Sequence, residues 1–230
     1  MQTVIFDFDG VIIDSSIDIS NAANHALEVY GFRRLPNTKI IGFVGLGAKK
    51  LLRLCFAESA GVEHDANLSA LDLDLDSDLD LDLDLDQIYK TYFDFYMTHC
   101  ADESTIYDGV VETLKELTRR GGSCAIVTNK PEQLTKKICS VFDIEKYFER
   151  IIGPESLSKM KPDPEGINKI LEGKSGDAMM VGDSDTDIQA GRNAGIMTCG
   201  VTYGLGDLEK LRKEKPDYLV DNLAEILRFV

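Results

Sequence analysis

The stretch Val4-Ile5-Phe6-Asp7-Phe8-Asp9-Gly10 decides how the rest of the chain is read. Val4, Ile5 and Phe6 are β-branched and aromatic. A short apolar run of this kind is the pattern of a strand buried on both faces of a parallel sheet. It then ends in two carboxylates one residue apart. Charged groups beside a core are costly unless they are paired or bound to a metal. Asp7 and Asp9 therefore mark the tip of this strand as a candidate site, and Gly10 lets the backbone turn sharply beside them. A lone Asp-x-Asp-Gly is also an ordinary strand-to-loop turn, so its meaning depends on the ends of the other strands.

From Tyr107 onward, apolar runs alternate with helical periods. Val110, Leu114 and Leu117 mark a helix ahead of a strand at 124–127. Leu134, Ile138, Val141 and Phe142 mark another ahead of 151–152. A helix near Ile167, Ile170 and Leu171 precedes a strand at 178–181, and a helix at 188–194 precedes one at 196–201. A strand at 218–220 and a helix at Leu223, Ile226 and Leu227 finish the chain. This alternation predicts βαβ units and an α/β fold with a parallel sheet covered on both faces. The stretch after the first strand keeps a helical period instead, through Ile19, Ala22, Ala26, then Leu51, Leu52, Cys55, then Ile88, Tyr92, Tyr96. The expected organisation is a core of residues 1–14 plus 103–230, with residues 15–102 inserted as a helical lobe.

Composition narrows the function classes. The 230 residues carry a formal charge of −15, which argues against nucleic-acid or anionic-membrane partners. Eight aspartates in the Leu-Asp repeat at 71–86 supply about half of that charge. Strict alternation is a strand period, but repulsion between successive carboxylates favours a solvated, mobile loop. The repeat lacks the glycine turn and terminal glutamate of a known calcium-binding loop. Five cysteines, an odd number with no Cys-x-x-Cys pair, fit free buried thiols in a reducing, cytoplasmic setting. The first strand begins almost at Met1, so no leader is expected, and no apolar run approaches the ~20 residues that span a bilayer.

In an open parallel sheet, ligands sit beyond the carboxyl ends of the strands. That rule selects Asp7 and Asp9, then Thr128 and Asn129, then Asp183 to Asp187, with Lys161 in Lys161-Pro162-Asp163-Pro164 before a helix. These residue types suit phosphoryl transfer. Asp7 is the candidate nucleophile, since a carboxylate can hold phosphorus as an acyl phosphate. Asp9 is the candidate acid and base toward the leaving oxygen and the incoming water. Thr128 and Lys161 can hold phosphate oxygens, and Asp7 with Asp183 can hold Mg²⁺. Asp187 orients Lys161 or the waters of the metal, or serves as a first-turn carboxylate. Each group alone has a plainer reading: Thr128-Asn129 as a helix cap before Pro131, Ser184, Asp185 or Thr186 as another cap, Lys161 as a surface lysine. Four coincidences at four strand ends favour one site. His25, His64 and His99 match no ligand spacing.

Together, Asp7-Phe8-Asp9-Gly10-Val11, Thr128-Asn129-Lys130-Pro131, Lys161-Pro162-Asp163-Pro164 and Gly182-Asp183-Ser184-Asp185-Thr186-Asp187 resemble the haloacid dehalogenase-like hydrolase superfamily. Tyr147-Phe148, the loop Gly45-Leu46-Gly47-Ala48 and Val201-Thr202-Tyr203-Gly204 look most like its phosphoglycolate phosphatases. The resemblance implies a Rossmann-like core with a helical cap domain after the first strand. It also implies Mg²⁺ held by Asp7, the Asp9 carbonyl and Asp183, with Gly10, Thr128, Asn129 and Lys161 on the phosphate side. Gly45, Gly47, Lys49 and Lys50 are candidate substrate contacts at the cap rim. Val11 stands where many of these phosphatases have threonine, and the acidic repeat replaces an ordinary cap segment. Asp9 argues against the dehalogenase and phosphonate-cleaving branches, which do not use that acid. The expected reaction is hydrolysis of a small phosphorylated metabolite by a monomer or homodimer. A β-phosphoglucomutase-like phosphomutase is the alternative, as is a pyrophosphatase or nucleotidase.

Overall fold

A computed structural model describes residues 2–61 and 84–230. In chain order the elements are β1 (Thr3–Phe6), β2 (Ile13–Asp14), α1 (Ser16–Val29), α2 (Asn37–Ile41), α3 (Ala48–Ala60), α4 (Leu85–His99) and β3 (Thr105–Ile106). They continue as α5 (Val110–Arg119), β4 (Ser123–Val127), α6 (Glu132–Val141), β5 (Phe148–Ile152), α7 (Glu165–Leu171), β6 (Ala178–Gly182), α8 (Asp185–Asn193), β7 (Met197–Val201), α9 (Leu208–Lys213) and β8 (Tyr218–Val220). The main sheet has the order β5-β4-β1-β6-β7-β8 and every pairing in it is parallel. This is the expected α/β architecture, with a helical insertion after the first strand.

The alternation of side chains along β1 explains why both faces are covered. Val4 and Phe6 join one buried cluster with Ile126, Leu114 and Leu134. Ile5 points the other way, into a smaller cluster with Ala125, Val127, Ile167, Met180 and Ala190. A strand with no solvent face needs no polar residue until its tip, which is the pattern of residues 4–6. The larger cluster runs on through Phe8, Val11 and Ile12 to Ala22, Leu52 and Tyr96 of the inserted helices.

Three local features differ from the sequence expectation. The insertion enters and leaves beside a two-residue antiparallel pair, Ile13 with Ile106 and Asp14 with Thr105, too short to show any period. The segment Leu223–Arg228 is a 3₁₀ helix rather than an α-helix. Leu223 and Ile226 are buried from it, and a spacing of three satisfies either helix. The end of the acidic repeat belongs to α4: the Asp84 side chain accepts from the amides of Asp86 and Gln87, and Asp86 sits in the first turn. Aspartate is favoured at both positions because the N-terminal amides have no other partner. The rest of the repeat, up to residue 83, lies outside the described residues, and so does the expected loop there. Among the described residues, no helix is long and apolar enough to cross a membrane.

Candidate active site

The register of the sheet assembles the site. Phe6 lies opposite Ile126 of β4 and Val181 of β6, so the chain brings Asp7, Thr128 and Asp183 to neighbouring strand tips. All three are buried. Lys161, from the loop before α7, reaches across the tips. Its Nζ lies 2.9 Å from Asp7 Oδ1 and 2.6 Å from Asp187 Oδ1. Asp187 is fixed by the start of α8, where its Oδ2 accepts from the backbone amide and the hydroxyl of Ser184 and closes a capping box. Asp183 Oδ2 accepts from the amides of Leu205 and Gly206 at 2.7 and 2.9 Å. Gly10 passes so close that a Cβ there would lie 1.9 Å from Asp183 Oδ2, and its φ is +82°. Only glycine fits that close, left-handed turn.

Asp7, Asp183 and Asp187 form the three-carboxylate group that could hold a metal ion among the described residues, with one oxygen from each within 4.8 Å of the others. Burial pushes Asp7 up to about 6; Lys161 opposes this and the Asp187 charge adds to it. Asp183 is pushed up to about 8 by burial first, then by the charges of Asp187 and Asp7. Burial works against the charge of Lys161, yet Asp187 and Asp7 outweigh it and its pKa is raised. One ammonium thus pairs with Asp7 and Asp187, while Asp183 has only backbone amides as partners, and Asp7 and Asp183 hold protons more tightly than usual. An all-oxygen set of this kind, short of positive charge, suits a hard divalent cation.

Asp9 faces the other way. Its carboxylate accepts from Ser15 Oγ at 2.5 Å and from Lys130 Nζ at 3.0 and 3.3 Å, and its side chain is not in the three-carboxylate group. Lys130 also donates to the Tyr96 hydroxyl at 2.6 Å, with its Nζ 4.4 Å from the ring centroid. The sequence reading gave Lys130 no role; the one available signal was its place directly after Thr128-Asn129. Thr128 Oγ1 accepts from the Lys130 amide. The Asn129 side chain is occupied by three backbone groups: it donates to the Gly45 and Lys161 carbonyls and accepts from the Lys161 amide. It therefore joins the phosphate-side loop to the cap rim.

Gly45 and Gly47 line a cavity of about 30 Å³ together with Asp7, Asp9, Thr128 and Lys130. Lys49 does not line it. Its ammonium pairs with Asp86 at 2.7 Å, and it borders an outer cleft of about 520 Å³ with Gly47, Lys50, Arg53, Tyr89 and Met160.

Comparisons with known proteins point to one family. A phosphoglycolate phosphatase of Vibrio parahaemolyticus is 32% identical, over all of this chain and 96% of its own length. Phosphoglycolate phosphatase 1 of Pseudomonas aeruginosa is also 32% identical, over 98% of this chain and 78% of its own. A crystal structure from Haemophilus somnus, described as a predicted phosphoglycolate phosphatase, superposes with a TM-score of 0.84 at 26% identity, over 99% of this chain and 96% of that one. The family model for haloacid dehalogenase-like hydrolases matches residues 4–201, a span that holds every strand-tip residue above, and the chain belongs to that family.

Proposed function

We propose that this protein is a Mg²⁺-dependent phosphomonoesterase acting on a small phosphorylated acid such as 2-phosphoglycolate, through an aspartyl phosphate on Asp7. The observation that carries the reading is the pairing of buried Asp7 with Lys161 at 2.9 Å beside Asp183 and Thr128. The names of the 32%-identical relatives support the substrate class. Asp7, Asp183 and the Asp9 carbonyl would hold the ion, with Asp187 in contact through Lys161. Bound there, Mg²⁺ would offset the negative charge gathering between carboxylates and phosphate.

The chain's own residues divide the work. An Asp7 carboxylate oxygen attacks phosphorus, the phosphorus–ester oxygen bond breaks, and Asp9 protonates the departing alkoxide. Asp9 then takes a proton from water, whose oxygen attacks phosphorus, and the bond to Asp7 breaks to release inorganic phosphate. This returns both carboxyls to their starting states. Thr128 and Lys161 donate to the phosphoryl oxygens throughout. Residues 1–14 and 103–230 would carry this chemistry, with residues 15–102 covering it and excluding bulk water. Five buried free cysteines favour a reducing, cytoplasmic setting.

The test is phosphate release from a panel of phosphoesters, with Mg²⁺ and with chelator. Hydrolysis of 2-phosphoglycolate that requires Mg²⁺ and is abolished in Asp7→Asn supports the reading. Conversion of glucose 1-phosphate to glucose 6-phosphate without phosphate release would replace it with a mutase.

A further inference from the structure

Building on the phosphomonoesterase reading, we propose that Lys130 recognises a second anionic group on the substrate, a carboxylate on the short chain that leaves with the ester oxygen. Lys130 is the one cationic side chain among the described residues lining the cavity beside Asp7 and Asp9. Its side chain is 3% exposed. The other walls of that cavity are largely apolar or backbone, including Ile19, Val44, Leu51 and Tyr92. The Lys161 ammonium, behind Asp7, is assigned to the phosphoryl oxygens, which leaves Lys130 for a second anion.

The ammonium is held from both sides. Asp9, from the loop after β1, and Tyr96, from α4 of the insertion, take two of its three donors among the described residues. The position is therefore fixed before a ligand arrives, which lowers the ordering cost of binding. It also lies next to Asp9, the group assigned to the leaving oxygen. A carboxylate one carbon beyond that oxygen falls on the Lys130 side of the cavity, whereas the phosphoryl oxygens face Thr128 and Lys161. The cavity is narrow, about 30 Å³, with Lys130 and Asp9 both in its wall. A short acidic leaving group places its charge beside Lys130 without reaching the outer cleft. The basic groups Lys49, Lys50 and Arg53 border the outer cleft, which meets this cavity at Gly47, and do not line the cavity itself.

The test compares 2-phosphoglycolate with its neutral isostere 2-phosphoglycolamide, with Mg²⁺ present, in the unaltered protein and in Lys130→Met. The unaltered protein is expected to favour the carboxylate by about 30-fold in kcat/KM, the scale of a charged hydrogen bond. Lys130→Met is expected to be slower on both esters, since Asp9 loses its ammonium partner and keeps only Ser15, and to lose the preference between them. If Lys130→Met does not fold, Lys130→Gln carries the same comparison. Equal rates on the two esters in the unaltered protein would overturn the inference while leaving the hydrolase reading intact. Preference retained in the variants would also overturn it and would point to the outer-cleft cations. Failure of the unaltered protein on both esters, with activity on other phosphoesters or none, would overturn the substrate class together with this inference.

Discussion

Replacing Lys161 by Met removes the ammonium that two buried carboxyls, Asp7 and Asp187, share, while nearly preserving side-chain length. Lys161 is 2% exposed at the side chain, Asp187 0% and Asp7 9%, so water cannot substitute for it. Removing one partner of a buried ion pair costs about 3–5 kcal/mol. The loss depends on pH, and the sign follows from the carboxyls. Burial already holds Asp7 up at about 6 against an ordinary 3.8, and Lys161 is the group pulling it down. Without Lys161 it rises further. A carboxyl whose folded pKa is raised contributes stability that is present below its unfolded pKa and is lost as pH rises through the folded value. Lys161 itself, with its pKa raised, stays charged in the unaltered protein across pH 5–8. The gap between the two proteins should therefore be about 1 kcal/mol near pH 5 and widen to about 3–5 kcal/mol near pH 8. For a chain of this size that is roughly 10 °C or more in Tm at the higher pH. Urea denaturation at both pH values, with chelator present, measures it. A gap that is the same at pH 5 and pH 8, or below about 1 kcal/mol at both, would refute the shared-charge reasoning.

Three further outcomes follow from the same geometry. Mg²⁺ should raise Tm more at pH 8 than at pH 5, because Asp7 and Asp183, raised to about 6 and about 8, hold protons at the lower pH that a cation must displace; equal shifts would count against the cluster as its site. Gly10→Ala should reduce phosphatase activity by at least tenfold and cost about 1–3 kcal/mol, since its Cβ would fall 1.9 Å from Asp183 Oδ2 at a φ of +82°; calorimetry and phosphate release check both. Asp18→Asn should cost about 2 kcal/mol in urea denaturation, because that buried carboxylate accepts from the amides of Glu103 and Ser104 and from the Ser104 hydroxyl.

The sequence disclosed the sheet and the strand tips because each strand is an apolar run that stops at a polar residue. Asp7, Thr128 and Asp183 could be read off for that reason. Lys161 was legible from its motif, though its double engagement with Asp7 and Asp187 was not. Lys130 escaped because its partners, Asp9 and Tyr96, lie 121 and 34 residues away, and nothing local records a contact of that range. Asn129 was assigned to the phosphate side. It lines the cavity beside Asp7 and Thr128, and its side chain also spans to Gly45, 84 residues distant, a pairing fixed only once the insertion sits on the sheet. Lys49 turns to Asp86 at the surface, as a long exposed lysine beside a carboxylate commonly does. The β2–β3 pair and α2 are too short to carry a period.

The β2–β3 pair has a mechanical corollary. Ile13 lies beside Ile106 and Asp14 beside Thr105, so departure and return of the inserted chain share a single seam. The covalent crossings thus lie side by side, and the insertion's other ties to the core, Asn129 to Gly45 and Lys130 to Tyr96 among them, are noncovalent. Chain added between the two crossings leaves the register that brings Asp7, Thr128 and Asp183 together untouched, because the paired strands β1, β4 and β6 lie outside the insertion.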